Sequence, residues 1–268
     1  MPPVVLVASK RDVAGQNAFS ALMDLVGLGR NGSGKGSFEF SGKECLPLEV
    51  EADIVHAGSI VERFSPSLVI HLSRHSSASK VPTLSVHAPG NVSGADFGGE
   101  PRTVSIAPAS AMLAALKELK RQRDALCPEF EVCYEATHHG PCLDAPSMFI
   151  EIGSDLERWR QENAGYALAH AALAAVKAET ESGAAVGLGG THYCPKFTRL
   201  ALEGSLPFGH MLPKHSLGSV DAPFLRYVLG RNAETVEVVV LDWKGMSGRD
   251  KARLVPELEK LGLRLERV

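Results

Sequence analysis

The chain of 268 residues lacks several features that mark common protein classes. Its five cysteines are odd in number and contain no CxxC pair, which fits neither a disulfide framework nor a zinc ribbon and indicates a reducing compartment. Its 28 Lys and Arg are outnumbered by 31 Asp and Glu, so any RNA partner must be met by a local basic patch. The apolar runs are shorter than the roughly 20 residues that span a bilayer, and the first lacks the basic start of a secretory signal. We therefore expect a cytoplasmic protein that binds neither membrane nor DNA.

Two signatures of common enzyme classes are also missing. No Gly-x-Ser-x-Gly elbow occurs, so chemistry through a covalent acyl-enzyme is not favoured. Residues 29–36 come close to the phosphate-binding pattern GxxxxGK[ST], but Gly36 replaces the hydroxyl residue that holds magnesium. That segment also follows a predicted helix, whereas a phosphate-binding loop follows a strand. We interpret it as a surface loop.

Strand-like apolar runs alternate with helical segments along the chain. Strands are predicted at 4–7, 68–72, 83–87, 130–136, 147–152, 184–188, 236–241 and 263–268, and helices at 12–26, 110–126, 155–181 and 251–261. Strands separated by helices of this length predict an α/β fold with a mixed, largely parallel sheet flanked by helices. No change of composition marks a linker, so we expect one domain over residues 1–268 with long loop insertions at about 27–36 and 73–99.

Histidines gather where the predicted strands end. Eight of the ten lie at strand ends or in loops: His71, His75, His87, His138, His139, His192, His210 and His215. Residues just beyond the carboxyl ends of strands are the usual ligand-binding positions of an α/β sheet. Imidazole and carboxylate are typical zinc ligands, so the pattern favours metal-assisted hydrolysis.

The loop after the strand at 130–136 is the richest in reactive groups. It offers Glu135, Thr137, His138 and His139 within five positions. The imidazoles suit zinc, and Glu135 is either a further ligand or the base that deprotonates a water molecule. The alternative is a polar loop whose histidines are satisfied by hydrogen bonds.

The loop after the strand at 184–188 offers a second set. Gly189 and Gly190 allow a ligand to approach the backbone closely, and His192 supplies a ligand or an acid–base group. Lys196 is able to contact an anion. The alternative is a tight turn with Tyr193 packed in the core.

Several long motifs occur in a specific order. They are EATHHGP at 135–141, EIGS at 151–154 followed by Trp159, GLGGTHYCPKFT at 187–198 and GHMLPKH at 209–215, together with IHLSRH at 70–75 and HAPGN at 87–91. With these motifs nearly the whole chain resembles the archaeal and plant type of D-aminoacyl-tRNA deacylase. The resemblance implies a cytoplasmic, zinc-dependent hydrolase with a phosphorylase/hydrolase-like α/β fold, which removes D-amino acids from mischarged tRNA.

The resemblance leaves individual roles open, and we assign them as hypotheses. His138, His139, His87 and His210 are candidate zinc ligands, with the number of ions open, and Glu135, His192 and Thr137 are candidate catalytic residues. Lys196, Lys214 and Arg74 are candidates for contacts to the phosphates at the tRNA end, and Tyr193, Gly189 and Gly190 for the rest of the substrate site. We expect D-aminoacyl-tRNA as substrate and a monomeric protein.

Other functional classes fit less well. A zinc-dependent peptidase or amidase on a similar fold is the first alternative, because the same ligands hydrolyse amides. A nucleoside phosphorylase would not require metal. An RNA-binding protein without catalysis is disfavoured because the chain has neither a basic stripe nor an aromatic RNA-recognition motif.

Overall fold

A computed structural model describes residues 2–29, 36–180 and 183–268. Its strands are β1 (Val4–Ser9), β2 (Phe38–Phe40), β3 (Lys43–Val50), β4 (Leu68–Arg74), β5 (Thr83–His87), β6 (Gly90–Asn91), β7 (Thr103–Val104), β8 (Glu131–Tyr134), β9 (Ser147–Gly153), β10 (Ala184–Leu188), β11 (Phe208–Leu212), β12 (Val236–Leu241) and β13 (Arg264–Arg267). Its α-helices are α1 (Val13–Leu25), α2 (Ile60–Phe64), α3 (Ala109–Leu126), α4 (Leu156–Trp159), α5 (Glu162–Lys177), α6 (Pro195–Gly204), α7 (Ala222–Leu229) and α8 (Gly248–Lys260). Short 3-10 turns lie at Ile54–His56 and Leu217–Ser219.

The larger sheet has seven strands in the order β2-β3-β1-β4-β9-β5-β8. Strands β3, β1, β4 and β9 are parallel, and β8 is parallel to β5. Strand β2 is antiparallel to β3, and β5 is antiparallel to β9. The predicted α/β class with a mixed, largely parallel sheet is therefore confirmed. Because β5 and β8 run antiparallel to β4 and β9, the carboxyl ends of β5 and β8 lie at the opposite edge of the sheet from those of β4 and β9.

The two faces of this sheet have different environments. Side chains alternate along a strand, so Leu6 of β1 points to one face and Val5 and Val7 point to the other. The first face packs against α1, α3 and α5 in the main hydrophobic core. The second face carries a smaller apolar cluster that includes Ile54 and Phe149. It also carries the polar side chains of the candidate site.

A second sheet of four parallel strands has the order β11-β10-β12-β13, and α7 and α8 contribute to its core. Residues 135–140, which we call the strap, connect the two sheets. The backbone N–H of Glu135 donates to Val86 O at 3.0 Å, and that of Ala136 donates to His192 O at 2.7 Å. The N–H of Thr137 donates to Met211 O at 2.8 Å. The strap is therefore held by the larger sheet on one side and by the smaller sheet on the other.

The single helix predicted at 155–181 is wrong, because the structure has two helices there. Asp155 caps the short α4 by accepting from the N–H of Arg158, and a new helix begins at Glu162. The amide of Asn17 donates to Trp159 O at 3.0 Å and to Gln161 O at 2.7 Å, which draws these carbonyl groups out of a continuous helix. Residues 30–35 of the predicted loop and 181 of the predicted helix lie outside the described residues. In the described ranges, no helix is long and apolar enough to cross a membrane.

Candidate metal centre

A cavity of about 550 Å³ lies on the second face of the larger sheet. Its walls include the ends of β1 and β4, the turn at 53–56, the loop at 96–97 and the strap. Among the residues that line it are Arg74, His75, Phe97, His138, His139, Glu151 and His192. The cavity therefore brings together histidines that are far apart in the sequence.

Three neighbouring strands supply the floor of the site. Phe149 of β9 is in register with His71 of β4 and with His87 of β5. Its ring stacks on both imidazoles, with centroid distances of 4.3 Å and 5.0 Å. Glu151 lies two residues further along β9 and therefore projects from the same face. His87 and Glu151 thus reach the site from the interior of the sheet.

His87, His138 and His139 form a group whose candidate ligand atoms lie within 4.8 Å of one another. In each of them the Nδ1 atom faces a backbone carbonyl: Ala88 O at 3.3 Å, Ala136 O at 2.7 Å and Gly140 O at 2.7 Å. A carbonyl oxygen only accepts, so the proton sits on Nδ1 and the Nε2 lone pair is free for a cation. The His87 Nε2 atom is buried and has no hydrogen-bond partner among the described residues.

A second group consists of His75, Glu135 and His192. The Glu135 Oε2 atom lies 2.8 Å from His192 Nε2 and 3.3 Å from His75 Nδ1. The other nitrogen of His75 lies 2.9 Å from the hydroxyl of Tyr193, and its backbone carbonyl accepts from the indole N–H of Trp159 at 3.0 Å. The His75 ring is therefore oriented by contacts on both sides.

A third group, His87, Glu135 and Glu151, overlaps the second through Glu135 and the three-histidine group through His87. The Glu151 Oε2 atom lies 3.5 Å from His87 Nε2. The second oxygen of Glu135, Oε1, is buried and without a hydrogen-bond partner in the described part of the chain. Five imidazoles and two carboxylates thus form one continuous cluster.

Burial keeps the imidazoles of the three-histidine group neutral. It lowers the pKa of His87, His138 and His139, and His139 lowers the pKa of the other two further. A neutral imidazole is the form that binds a metal ion, so these side chains are already in the right protonation state at pH 7.

The two carboxylates respond differently to the same surroundings. Burial alone would raise the pKa of Glu135, but the hydrogen bond from His192 and the nearby His75 outweigh it and lower the pKa to about 2. Burial raises the pKa of Glu151 well above its usual range, and the negative charges of Glu135 and Asp12 add to this effect. Bound cations would favour the charged form of both.

The cluster fits zinc in its donor chemistry. Imidazole nitrogen and carboxylate oxygen are common zinc donors, whereas magnesium and calcium are held mainly by oxygen. The buried and unpartnered Nε2 of His87 and Oε1 of Glu135 are costly to leave uncompensated, and a cation would compensate both.

The structure brings five of the predicted site residues together: His87, His138, His139, Glu135 and His192. The other two candidate ligands or catalytic residues, His210 of β11 and Thr137 of the strap, pair with each other, with 3.0 Å between His210 Nδ1 and Thr137 Oγ1. The His210 Nε2 atom faces Ser105 O at 3.1 Å and Arg231 O at 3.0 Å. Neither His210 nor Thr137 lines the cavity. Thr137 Oγ1 also accepts from the N–H of Met211.

The predicted substrate-binding residues are spread more widely. Arg74 is exposed and lines the cavity. The Nζ atom of Lys196 instead donates to Asp242 Oδ1 at 2.6 Å and to Val268 O at 2.9 Å, just beyond the ends of β12 and β13 of the smaller sheet. Lys214 is not among the cavity residues, and its backbone N–H donates to Gly190 O at 3.0 Å.

The two glycines of the second loop are required by close packing. Gly189 and Gly190 have positive φ angles of 96° and 80°. A Cβ on Gly189 would lie 2.9 Å from Met246 Cγ, and one on Gly190 would lie 3.1 Å from Asp242 Oδ2. Tyr193 contacts His75 rather than the cavity directly.

Sequence reasoning gave no role to His75 or Glu151. A signal for Glu151 is present, because it is a carboxylate within an apolar strand and a buried charge needs partners. His75 lies one residue beyond β4, among the strand-end histidines, but its contact to Glu135 depends on packing between distant segments.

Comparisons with known proteins agree with one another. A sequence profile of the family described as D-aminoacyl-tRNA deacylase matches residues 62–266. A protein named D-aminoacyl-tRNA deacylase from Pyrococcus furiosus is 36% identical over 268 residues, which cover 97% of each chain. One of the same name from Methanocaldococcus jannaschii is 33% identical over 276 residues, covering 98% of this chain and 99% of its own. A crystal structure of a conserved protein of unknown function is similar with a TM-score of 0.87 and 29% identity, covering 99% of this chain and 95% of the other.

Proposed function

The chain belongs to the D-aminoacyl-tRNA deacylase family, and we propose that it hydrolyses the ester of D-aminoacyl-tRNA to a free D-amino acid and tRNA. The observation that carries the proposal is the cluster of five imidazoles and two carboxylates, five members of which line a cavity. Ester hydrolysis needs an activated water molecule and a polarised carbonyl group. Zinc bound in this cluster would supply both as a Lewis acid.

We propose two ion positions. His87, His138 and His139 hold one, and His75, Glu135 and His192 hold the other, because these two groups share no residue. The sequence left two roles open for Glu135, metal ligand or base. We assign it the ligand role, because it belongs to the second group and also lies within ligand distance of His87 of the first. The backbone carbonyls of Ala88, Ala136 and Gly140 orient the three-histidine group, in the way that outer hydrogen bonds orient metal ligands in general.

The chain's own groups divide the remaining work. Glu151 lines the cavity, whereas Glu135 does not, so we assign proton transfer from the attacking water to a Glu151 carboxylate oxygen. Arg74 at the cavity mouth binds a phosphate near the 3′ end of the tRNA. His210 and Thr137 hold the strap on β11, and Lys196 holds α6 on the smaller sheet.

The proposed activity is tested by incubating the protein with D-tyrosyl-tRNA and L-tyrosyl-tRNA side by side and measuring released tyrosine. Loss of the D ester alone supports chiral deacylation. Equal loss of both esters, or loss of neither, contradicts it. Release of amino acids from small peptides would instead identify a peptidase or amidase.

The metal assignment is tested by zinc analysis of purified variants. We expect two equivalents of zinc in the wild-type protein, and one fewer in His138→Ala and in His192→Ala. His56→Ala is the matched control, since His56 lines the same cavity but belongs to none of the three groups. Undiminished zinc in both site variants would overturn the ligand assignment.

A further inference from the structure

One aromatic side chain at the cavity mouth has no role in the chemistry described above. Phe97 lines the cavity and is 73% exposed, the largest exposed fraction among the large apolar side chains of the described residues. Its neighbours in sequence, Asp96 and Gly98, are polar or small, so Phe97 is the one large apolar side chain of this stretch. A single exposed ring is too little for a protein–protein interface, which buries about 800 Å² on each partner.

The loop that carries Phe97 is fixed tightly against the strap. The N–H of Gly140 donates to Phe97 O at 3.0 Å, and the amide of Asn91 donates to Gly98 O at 2.8 Å. Gly98 and Gly99 have positive φ angles of 75° and 74°. A Cβ on Gly98 would lie 2.3 Å from Val55 O, so only glycine allows this packing. The backbone at Phe97 is therefore held in place although its ring is exposed.

We propose that the ring of Phe97 is the stacking surface for the terminal base of the tRNA, which rests on the function proposed above. The scissile ester and the terminal base are attached to the same ribose, so a surface for the base must lie beside the metal-binding residues. Phe97 meets this condition, because its backbone carbonyl accepts a hydrogen bond from the N–H of Gly140, the residue that follows His139. A base stacks face to face on an aromatic ring, and such stacking contributes about 1–3 kcal/mol of binding free energy per base.

The kinetic test compares four variants on D-tyrosyl-tRNA. Phe97→Ala is expected to lower kcat/KM roughly tenfold to a hundredfold, mainly through KM, because stacking binds substrate and transition state alike. Phe97→Trp should stay close to wild type. Phe97→Leu keeps an apolar side chain but no ring, and should lose most of the effect. Leu261→Ala, which removes a 40% exposed side chain outside the cavity, is the control and should be unaffected.

A binding test reports on the base directly. Uncharged tRNA ending in 2-aminopurine in place of the terminal adenine is mixed with each protein, and its fluorescence is recorded. Stacking quenches 2-aminopurine, so emission should fall with the wild type and Phe97→Trp but not with Phe97→Ala. This measurement needs no hydrolysis, so it judges the stacking proposal even if deacylation is not observed.

Three results would overturn the proposal. The first is a Phe97→Ala variant with kcat/KM close to wild type. The second is unchanged 2-aminopurine emission at saturating wild-type protein. The third is a loss of activity seen with D-tyrosyl-tRNA but not with D-alanyl-tRNA, which would place the amino-acid side chain, not the base, on Phe97.

Discussion

His192 and Glu135, 57 residues apart in the sequence, meet with 2.8 Å between Nε2 and Oε2. His192 belongs to the loop after β10 of the smaller sheet, and Glu135 begins the strap that follows β8 of the larger one. The candidate centre is therefore shared between the two sheets. Its ligands keep their geometry only while both sheets are in place.

Replacing Glu135 with Gln keeps the shape of the side chain and removes its charge. We expect kcat/KM for D-tyrosyl-tRNA to fall by about a hundredfold or more and one zinc equivalent to be lost, because His75 and His192 lose their shared carboxylate. Glu131→Gln is the matched control, because Glu131 begins β8, the strand that leads into Glu135, and its side chain is exposed. Full zinc content in Glu135→Gln would contradict the ligand role.

Tyr193 is expected to act by positioning His75. Tyr193→Phe removes the hydroxyl that lies 2.9 Å from His75 Nε2, and should weaken zinc binding by about 10–100-fold while the protein stays folded. The measurement is a zinc titration against a chelator. Tyr227→Phe also removes a hydroxyl contact, to Val104 O, but away from the cavity, and its zinc affinity should match that of the wild type.

Gly189 is expected to matter for stability rather than for substrate contact. In Gly189→Ala the new Cβ would meet Met246 at a positive φ, which should lower the free energy of unfolding by about 2 kcal/mol. Gly248→Ala, where nothing lies within 4 Å of the added Cβ, serves as the control in denaturant titrations. A stable Gly189→Ala protein with a raised KM would favour the substrate-binding role predicted from the sequence.

Arg74 and Lys196 should differ in their effect on tRNA binding. Arg74→Gln is expected to raise KM and to reduce the slope of log affinity against log salt by about one, as for the loss of one phosphate contact. Lys196→Gln should leave the slope unchanged, because that ammonium group is already paired with Asp242. The same loss of slope in both variants would show that Lys196 also reaches the tRNA.

His210 should make the fold sensitive to acid. Burial lowers its pKa from 6.5 to about 4 in the folded protein, so the unfolded chain takes up a proton first as the pH falls. The stability that His210 contributes is complete above pH 6.5 and is lost between pH 6.5 and about 4. We expect the drop in unfolding free energy between pH 7.5 and 5.5 to be about 1 kcal/mol smaller in His210→Gln than in the wild type. Equal drops would show that His210 takes up a proton in the folded protein as readily as in the unfolded chain, which would contradict the lowered pKa.

The strands of this fold could be predicted more accurately than their arrangement. The predicted strands at 83–87, 184–188 and 236–241 coincide with β5, β10 and β12, because continuous apolar and β-branched runs are local signals. The antiparallel direction of β5 could not be predicted, since it depends on pairing with β9, far along the chain.

In the candidate site, too, the residues marked by their local sequence could be predicted, and those that depend on long-range packing could not. His138 and His139 were identifiable because they sit together in one polar loop beside Glu135. The role of Glu151 was not, because a lone carboxylate in a strand gains its meaning from His87, with which it shares a face only after β5 and β9 pair. Lys196 looked like an anion contact in the sequence, and its pairing with Asp242 comes from contacts between α6 and the loop after β12.

The wide spacing of the ligands also constrains how the centre is assembled during synthesis. His75 and the Tyr193 hydroxyl that orients it are 118 residues apart, and the strap lies between them in the sequence. A nascent chain therefore presents only fragments of the ligand set until the loop after β10 has left the ribosome. If both proposed ion positions are filled, the second is completed only at this stage, and the free energy of metal binding at it would be added to a chain whose larger sheet has already been made.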